Sequence, residues 1–252
     1  MWLMKRAIAF DFDGVICNGL REYFASSSIV YRTVWGVAID PDWAAAFYQL
    51  RSVIHTGWEM PLILRALALG YGSNEILSDW DRVRDEILER DQITAHQIMA
   101  MLDQVRDESI MHNLDAWLNL HDFYPQIPKT LRRLLDFPVE IYIITTKEAR
   151  FVKTILAREN LNIPPQHIFG KEQNQSKVEL LLKLKPTYGQ LTFVEDRLPT
   201  LLKITQEPAL NEVQLYLVNW GYNTEIEKNV AQQSDRITLM GLQHLSSLVE
   251  SL

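Results

Sequence analysis

A separation along the chain most constrains the fold. One short apolar run, residues 7–10 (AIAF), stops at Asp11-Phe12-Asp13-Gly14, and the other strand-like runs come more than a hundred residues later. A short apolar run bounded by acids and glycine reads as a buried strand opening into a loop. The later runs are 139–146 (VEIYIITT), 191–196 (LTFVED) and 213–219 (VQLYLVN), with a shorter candidate at 167–170 (HIFG). The short candidate would be third in chain order, 191–196 the fourth strand and 213–219 the fifth. Helix-like stretches separate them at 130–135, 149–160, 177–184 and 199–205. In 149–160, Phe151, Val152, Ile155 and Leu156 share one helical face, and Asn160 with the Pro164-Pro165 pair closes it. Strands alternating with helices predict an α/β fold, a Rossmann-like parallel sheet covered on both faces.

Residues 19–121 follow a different pattern. Leu20, Phe24, Val30, Tyr31 and Val34 recur at helical spacing, and so do Trp43, Ala46, Phe47, Leu50 and Ile54. The stretch from 74 to 120 is rich in charge and long helix formers, with no convincing strand. The expectation is one interrupted core domain, 1–18 and 122–252, with an all-α cap domain inserted at 19–121. A chain of 252 residues that is 47% hydrophobic can bury such a core without disulfides or a structural metal.

Composition removes several function classes. Lys+Arg 25 against Asp+Glu 32 gives a net charge of −7, a poor balance for binding nucleic acid or an anionic membrane. No run approaches the roughly 18 apolar residues of a membrane span. At the N-terminus the charges of Lys5 and Arg6 follow the apolar residues, the reverse of a signal peptide. Cys17 stands alone, so no internal disulfide forms and a reducing, cytoplasmic location is expected. A catalytic role for Cys17 would need a paired base that the sequence does not identify.

In an open parallel sheet, ligands bind beyond the carboxyl ends of the strands. Those ends carry Asp11 and Asp13 after the first strand, then Thr145, Thr146 and Lys147 after the second. Glu195 and Asp196 follow the fourth, and Lys177 opens a helix between the third and fourth. Several carboxylates with a hydroxyl and a lysine suit a hard cation such as Mg²⁺ and a phosphate. Thr146 competes with Thr145 for the hydroxyl role, Lys171 with Lys177 for the lysine role, and Glu195 could pair with Arg197 instead. Arg21 and Lys147 are candidate contacts for substrate oxygens.

The string Asp-Phe-Asp-Gly-Val-Ile at 11–16 resembles the DxDG signature of the haloacid dehalogenase-like hydrolase superfamily. The resemblance continues in order through Ile-Thr-Thr-Lys at 144–147, Lys177, and Glu195-Asp196 after an apolar strand. It implies that Asp11 is a nucleophile forming an aspartyl-phosphate and that Asp13 is the general acid and base. It implies that Thr145 and Lys177 hold the phosphoryl oxygens. Mg²⁺ would be coordinated by Asp11, Asp196 and the main-chain carbonyl of Asp13. Dehalogenases proper lack an acid at the position of Asp13, so phosphoryl transfer is the better reading. The wide spacing from Asp13 to Thr145 and the narrow one from Thr145 to Lys177 resemble the family's helical cap after the first motif. Such a cap implies a small phosphorylated metabolite as substrate.

The sequence departs from the family pattern in places. Thr200 and Leu201 stand where a second acid often follows the fourth motif, and Glu195 could supply it as a metal ligand, as in beta-phosphoglucomutase-like members. Val178 follows Lys177 where proline is usual, and Asn18-Gly19 replaces an acid and a small hydroxyl residue. A phosphomutase of the beta-phosphoglucomutase type and a catalytically weak phosphate-binding or regulatory protein are the competing readings. Within the insertion, 51–60 (RSVIHTGWEM) breaks the helical pattern and is the candidate specificity segment, or an ordinary turn with a buried Trp.

Overall fold

The computed structural model describes residues 5–245 and 248. The charge order read over the first residues, and both ends of the expected core domain, involve positions outside that set. The chain divides into two compact units, residues 1–18 with 122–252 and residues 19–121. In chain order the first unit opens with β1 (Arg6–Phe10) and β2 (Cys17–Asn18). The second unit follows with α1 (Leu20–Trp35), α2 (Trp43–Leu50), α3 (Met60–Ala68), α4 (Ser73–Ser78), α5 (Trp80–Asp91), α6 (Ala95–His112) and α7 (Leu114–Leu118). The chain returns to the first unit at β3 (Asp122–Phe123), α8 (Ile127–Leu135), β4 (Val139–Ile144), α9 (Ala149–Arg158) and β5 (Ile168–Phe169). It ends through α10 (Lys177–Leu184), β6 (Gln190–Glu195), α11 (Leu198–Thr205), β7 (Gln214–Val218), α12 (Glu225–Gln232) and β8 (Ile237–Met240).

The first unit is built on a six-stranded sheet of order β5-β4-β1-β6-β7-β8 with every pairing parallel. Strand β1 lies between β4 and β6, with Phe10 level with Ile143 on one side and Val194 on the other. Its residues are buried on both faces, as expected where helices cover both sides. Ala7 and Ala9 join a core cluster with Phe193 and Leu215 of the sheet and Leu180, Leu181, Leu201 and Ile204 of α10 and α11. Ile8 and Phe10 alternate with the two alanines on the pleat, so they face the other side of the sheet. Strands β2 and β3 form a separate antiparallel pair, Cys17 opposite Phe123 and Asn18 opposite Asp122, where the chain leaves for the inserted unit and returns.

Three elements differ from expectation. Strand β8 and the preceding α12 are not among the expected elements; β8 is a four-residue edge strand whose exposed Thr238 interrupts the apolar run. The candidate at 167–170 shrinks to two residues at the opposite edge, pairing only with β4.

The second unit is all helix among the described residues, with Tyr31, Phe47, Leu50, Leu62, Ile63 and Ile98 fully buried. A buried ion pair joins α1 to α6: Arg106 Nε donates to Glu22 Oε1 at 2.8 Å, and Ser26 donates to the same oxygen at 2.6 Å. The segment 51–60 turns Glu59 inward. Its carboxylate accepts the amides of His55 and Thr56, both at 3.2 Å, and the Trp80 indole N–H at 2.8 Å. Glu59 is 2% exposed and shapes this turn from within. Trp58, read from the sequence as a possible buried anchor, is only half-buried.

Truncating Ile8 to alanine removes a buried side chain from the middle of the central strand, a change that costs about 2–5 kcal/mol. Urea denaturation of Ile8→Ala is expected to show a lower midpoint at an unchanged slope.

Candidate active site at the carboxyl ends of the central strands

The sheet order places β1 at the point where successive strands switch from one side to the other. The chain adds β4 and β5 on one flank of β1, then β6, β7 and β8 on the other. Loops diverge at such a point and leave a crevice beyond the strand ends. The Asp11 amide extends the ladder by one residue, donating to Val194 O at 2.9 Å. The chain then turns back tightly: the amides of Ile16 and Cys17 both donate to Phe12 O, and that of Gly14 to Cys17 O. Gly14 has φ +91°, a conformation that side-chain-bearing residues rarely adopt.

Lys177 is held at the first turn of α10 by a capping box, in which Ser176 and Glu179 satisfy each other's amides. Its ammonium donates to Asp11 Oδ1 and to Glu195 Oε2, each at 2.6 Å. The other Glu195 oxygen accepts the amides of Asp196 and Arg197, both at 3.0 Å. Glu195 therefore spends one oxygen on the lysine and the other on its own loop. Asp196, 1% exposed, accepts the Tyr222 amide on Oδ2 at 2.7 Å. Its main-chain carbonyl accepts the Asn223 side-chain amide at 2.9 Å. Gly14 and Gly221 admit this carboxylate: a Cβ on Gly14 would lie 2.1 Å from Asp196 Oδ2, and one on Gly221 2.2 Å from Asp196 Cβ. Oxygens of Asp11, Glu195 and Asp196 lie within 4.8 Å of one another, all three residues buried.

A second lysine completes the cluster. Lys147 is 6% exposed, and its ammonium lies 3.2 and 3.3 Å from the two oxygens of Asp13. Its amide donates to Thr145 Oγ1 at 3.1 Å. Thr145 is buried, with its amide on Phe169 O, whereas Thr146 is exposed. Lys171 points elsewhere: its ammonium pairs with Glu148 at 3.1 Å. Asp11, Asp13, Thr145, Lys147, Lys177, Glu195 and Asp196 thus all belong to the loops at the strand ends of one unit. Thr146 and Lys171 lie on neighbouring positions with different surroundings.

The electrostatics follow from burial. Removal from water pushes the Asp11 carboxyl up to about 7, with Lys177 opposing and Glu195 and Asp13 adding to the rise. Burial alone would depress Lys177, but Asp11 and Glu195 hold it above the usual ammonium range, so it stays charged. Burial pushes the Cys17 thiol up, with the Asp13 charge adding, so it is not a thiolate nucleophile at neutral pH. Four carboxylates (Asp11, Asp13, Glu195, Asp196) and two ammonium groups (Lys147, Lys177) are thus gathered at these strand ends.

The sequence reading missed the loop 219–223 after β7, which supplies Gly221, Tyr222 and Asn223 to Asp196. The strand-end rule, applied to the fifth strand as to the others, points to it.

No protein-family model matches the sequence, and no curated protein matches it either. Solved structures do match. A predicted phosphoglycolate phosphatase from Haemophilus somnus 129PT aligns over 100% of both chains with a TM-score of 0.63 at 17% identity. A predicted phosphatase from Clostridium acetobutylicum covers 99% of this chain and 100% of its own, with a TM-score of 0.61 at 12% identity. A haloacid dehalogenase-like family hydrolase from Streptococcus pneumoniae covers 98% and 99%, with a TM-score of 0.59 at 14% identity. At these identities the likeness is one of fold.

Asp11 has a folded-state pKa of about 7 against an ordinary 3.8, so its protonated form favours folding. That contribution is complete below the unfolded value and is lost as pH climbs through about 7. In EDTA, Asp11→Asn is therefore expected to melt higher than the parent chain at pH 8. The gap should narrow as pH falls toward 5. A parent chain that melts higher at pH 8 would contradict this account.

Proposed function

We propose that this chain, whose first unit has the haloacid dehalogenase-like fold, is a phosphatase. It would hydrolyse a small phosphorylated metabolite with Mg²⁺ through an aspartyl-phosphate. The observation that carries the reading is the gathering of four carboxylates and two lysines at the strand ends, with Asp11, Glu195 and Asp196 buried and their oxygens within 4.8 Å of one another. The donor set fits Mg²⁺, which prefers carboxylate and carbonyl oxygens and keeps several waters. Asp11 and Asp196 would hold it, with the main-chain carbonyl of Asp13. Glu195 supports this set mainly through Lys177 and its own loop amides, since both its oxygens carry those bonds. Bound there, the ion would supply positive charge that keeps Asp11 ionised and attracts a phosphoryl group.

The residues divide the work. An Asp11 oxygen attacks phosphorus, and the bond to the leaving oxygen breaks as Asp13 gives that oxygen a proton. Asp13 then takes a proton from water as the water attacks phosphorus, and the Asp11 carboxylate is released with inorganic phosphate. Lys177, anchored between Asp11 and Glu195, faces the charge that develops on the phosphoryl oxygens, together with the Thr145 hydroxyl. Lys147 holds Asp13 in place and offers a second cation to the substrate's oxygens. The lone buried Cys17 fits work in a reducing compartment such as the cytoplasm.

The test is a set of small phosphomonoesters assayed with MgCl₂ and with EDTA. Phosphate release is expected with Mg²⁺ only, and Asp11→Asn should abolish it. Loss of a general acid costs about 10²–10⁴-fold. Asp13→Ala should therefore lower kcat by that order with a much smaller change in KM. Release that survives EDTA, or full activity in Asp11→Asn, would remove the proposal.

A further inference from the structure

Tyr222 makes two attachments that no step above uses together. Its amide donates to Asp196 Oδ2 at 2.7 Å. Its hydroxyl donates to Asn18 Oδ1 at 3.2 Å. Asn18 is the last residue before the chain leaves for the inserted unit, and it pairs with Asp122, the first residue after the return. The ring of Tyr222 is 6% exposed and packs over Gly14, where a Cβ would meet it at 2.9 Å. The rest of the loop braces the same pieces. Trp220 donates its indole N–H to Val15 O at 3.2 Å, and Arg197 donates to Tyr222 O at 3.1 Å. Gly221 brings the backbone so close that a Cβ there would lie 2.7 Å from Gly14 O.

We propose that Tyr222 is a positioning residue that ties the Asp196 carboxylate to the paired segment Asn18–Asp122, so that the state of the acidic cluster and the order of the two chain crossings depend on each other. The inference rests on the reading of Asp196 as part of a metal-holding cluster. The physical basis is rigidity over a short path. One residue spans both contacts, its backbone fixed by the close approach of Gly221 and Gly14 to Asp196 and its ring fixed by burial. A displacement of the Asp196 carboxylate moves the Tyr222 amide, and the phenol has no room to compensate. Coupling of this kind is reciprocal: whatever orders Asp196 orders the crossings, and loosening the crossings loosens Asp196.

Tyr222→Phe removes the hydroxyl and keeps both the ring and the amide. Asn18→Ala removes the acceptor and keeps the backbone pairing. Hydrogen–deuterium exchange is read on peptides covering residues 16–18 and 122–124 and, as a control, on β6. In EDTA, each variant is expected to exchange at least threefold faster at the crossings and unchanged in β6. The double variant should be no faster than either single one, because both remove the same bond. Addition of MgCl₂ should slow exchange at the crossings in the parent chain and have less than half that effect in Tyr222→Phe. Unchanged exchange at the crossings in EDTA, or additive effects in the double variant, would overturn the tie. If MgCl₂ leaves the parent chain unaffected and calorimetry shows no binding, the metal reading fails. The EDTA comparison then decides the tie between Tyr222 and the crossings by itself.

Discussion

The feature on which the rest depends is negative charge held out of water. Asp11, Glu195 and Asp196 are each buried, and Lys177 sits between two of them at 2.6 Å from each. Burying carboxylates is costly unless each is paired or hydrogen-bonded. The surrounding structure meets that cost bond by bond, with amides of Asp196 and Arg197 on Glu195 and the amide of Tyr222 on Asp196. What stays unmet appears as the raised pKa of Asp11.

The sheet makes that concentration of charge possible. Parallel strands all end on the same side, so loops far apart in sequence deliver their side chains to one place. Lys177 and Asp11 are 166 positions apart and in direct contact. The two alanines of β1 share one core cluster with residues of α10 and α11, and α10 is the helix that opens with Lys177. Core packing and site geometry are one arrangement here.

Much of this was legible in the sequence, for identifiable reasons. Strands β1, β4, β6 and β7 are interior and read as apolar runs, and the first three lead into residues of the cluster. Edge strand β8 was not legible because it is four residues long and interrupted by the exposed Thr238. Among the candidates left open, Thr145 and Thr146 differ by one position, and only coordinates show that the first is buried and the second exposed. Lys171 and Lys177 carry the same charge and each opens a helical turn, and the partner of each, Glu148 or Asp11, is a property of tertiary packing. The inward turn of Glu59 was equally hidden, because a Thr-x-x-Glu capping box looks like any exposed helix start until Trp80 is found against it.

The pairing of Asn18 with Asp122 has a bearing on how such a chain can change over time. Residues opposite each other in an antiparallel pair are only about 5 Å apart at their Cα atoms. An insertion of 103 positions, 19–121, therefore begins and ends at nearly the same point in space. A two-residue turn is enough to join such ends into a hairpin. The inserted helices can then be lengthened, exchanged or lost by steps that leave the register of the six-stranded sheet untouched.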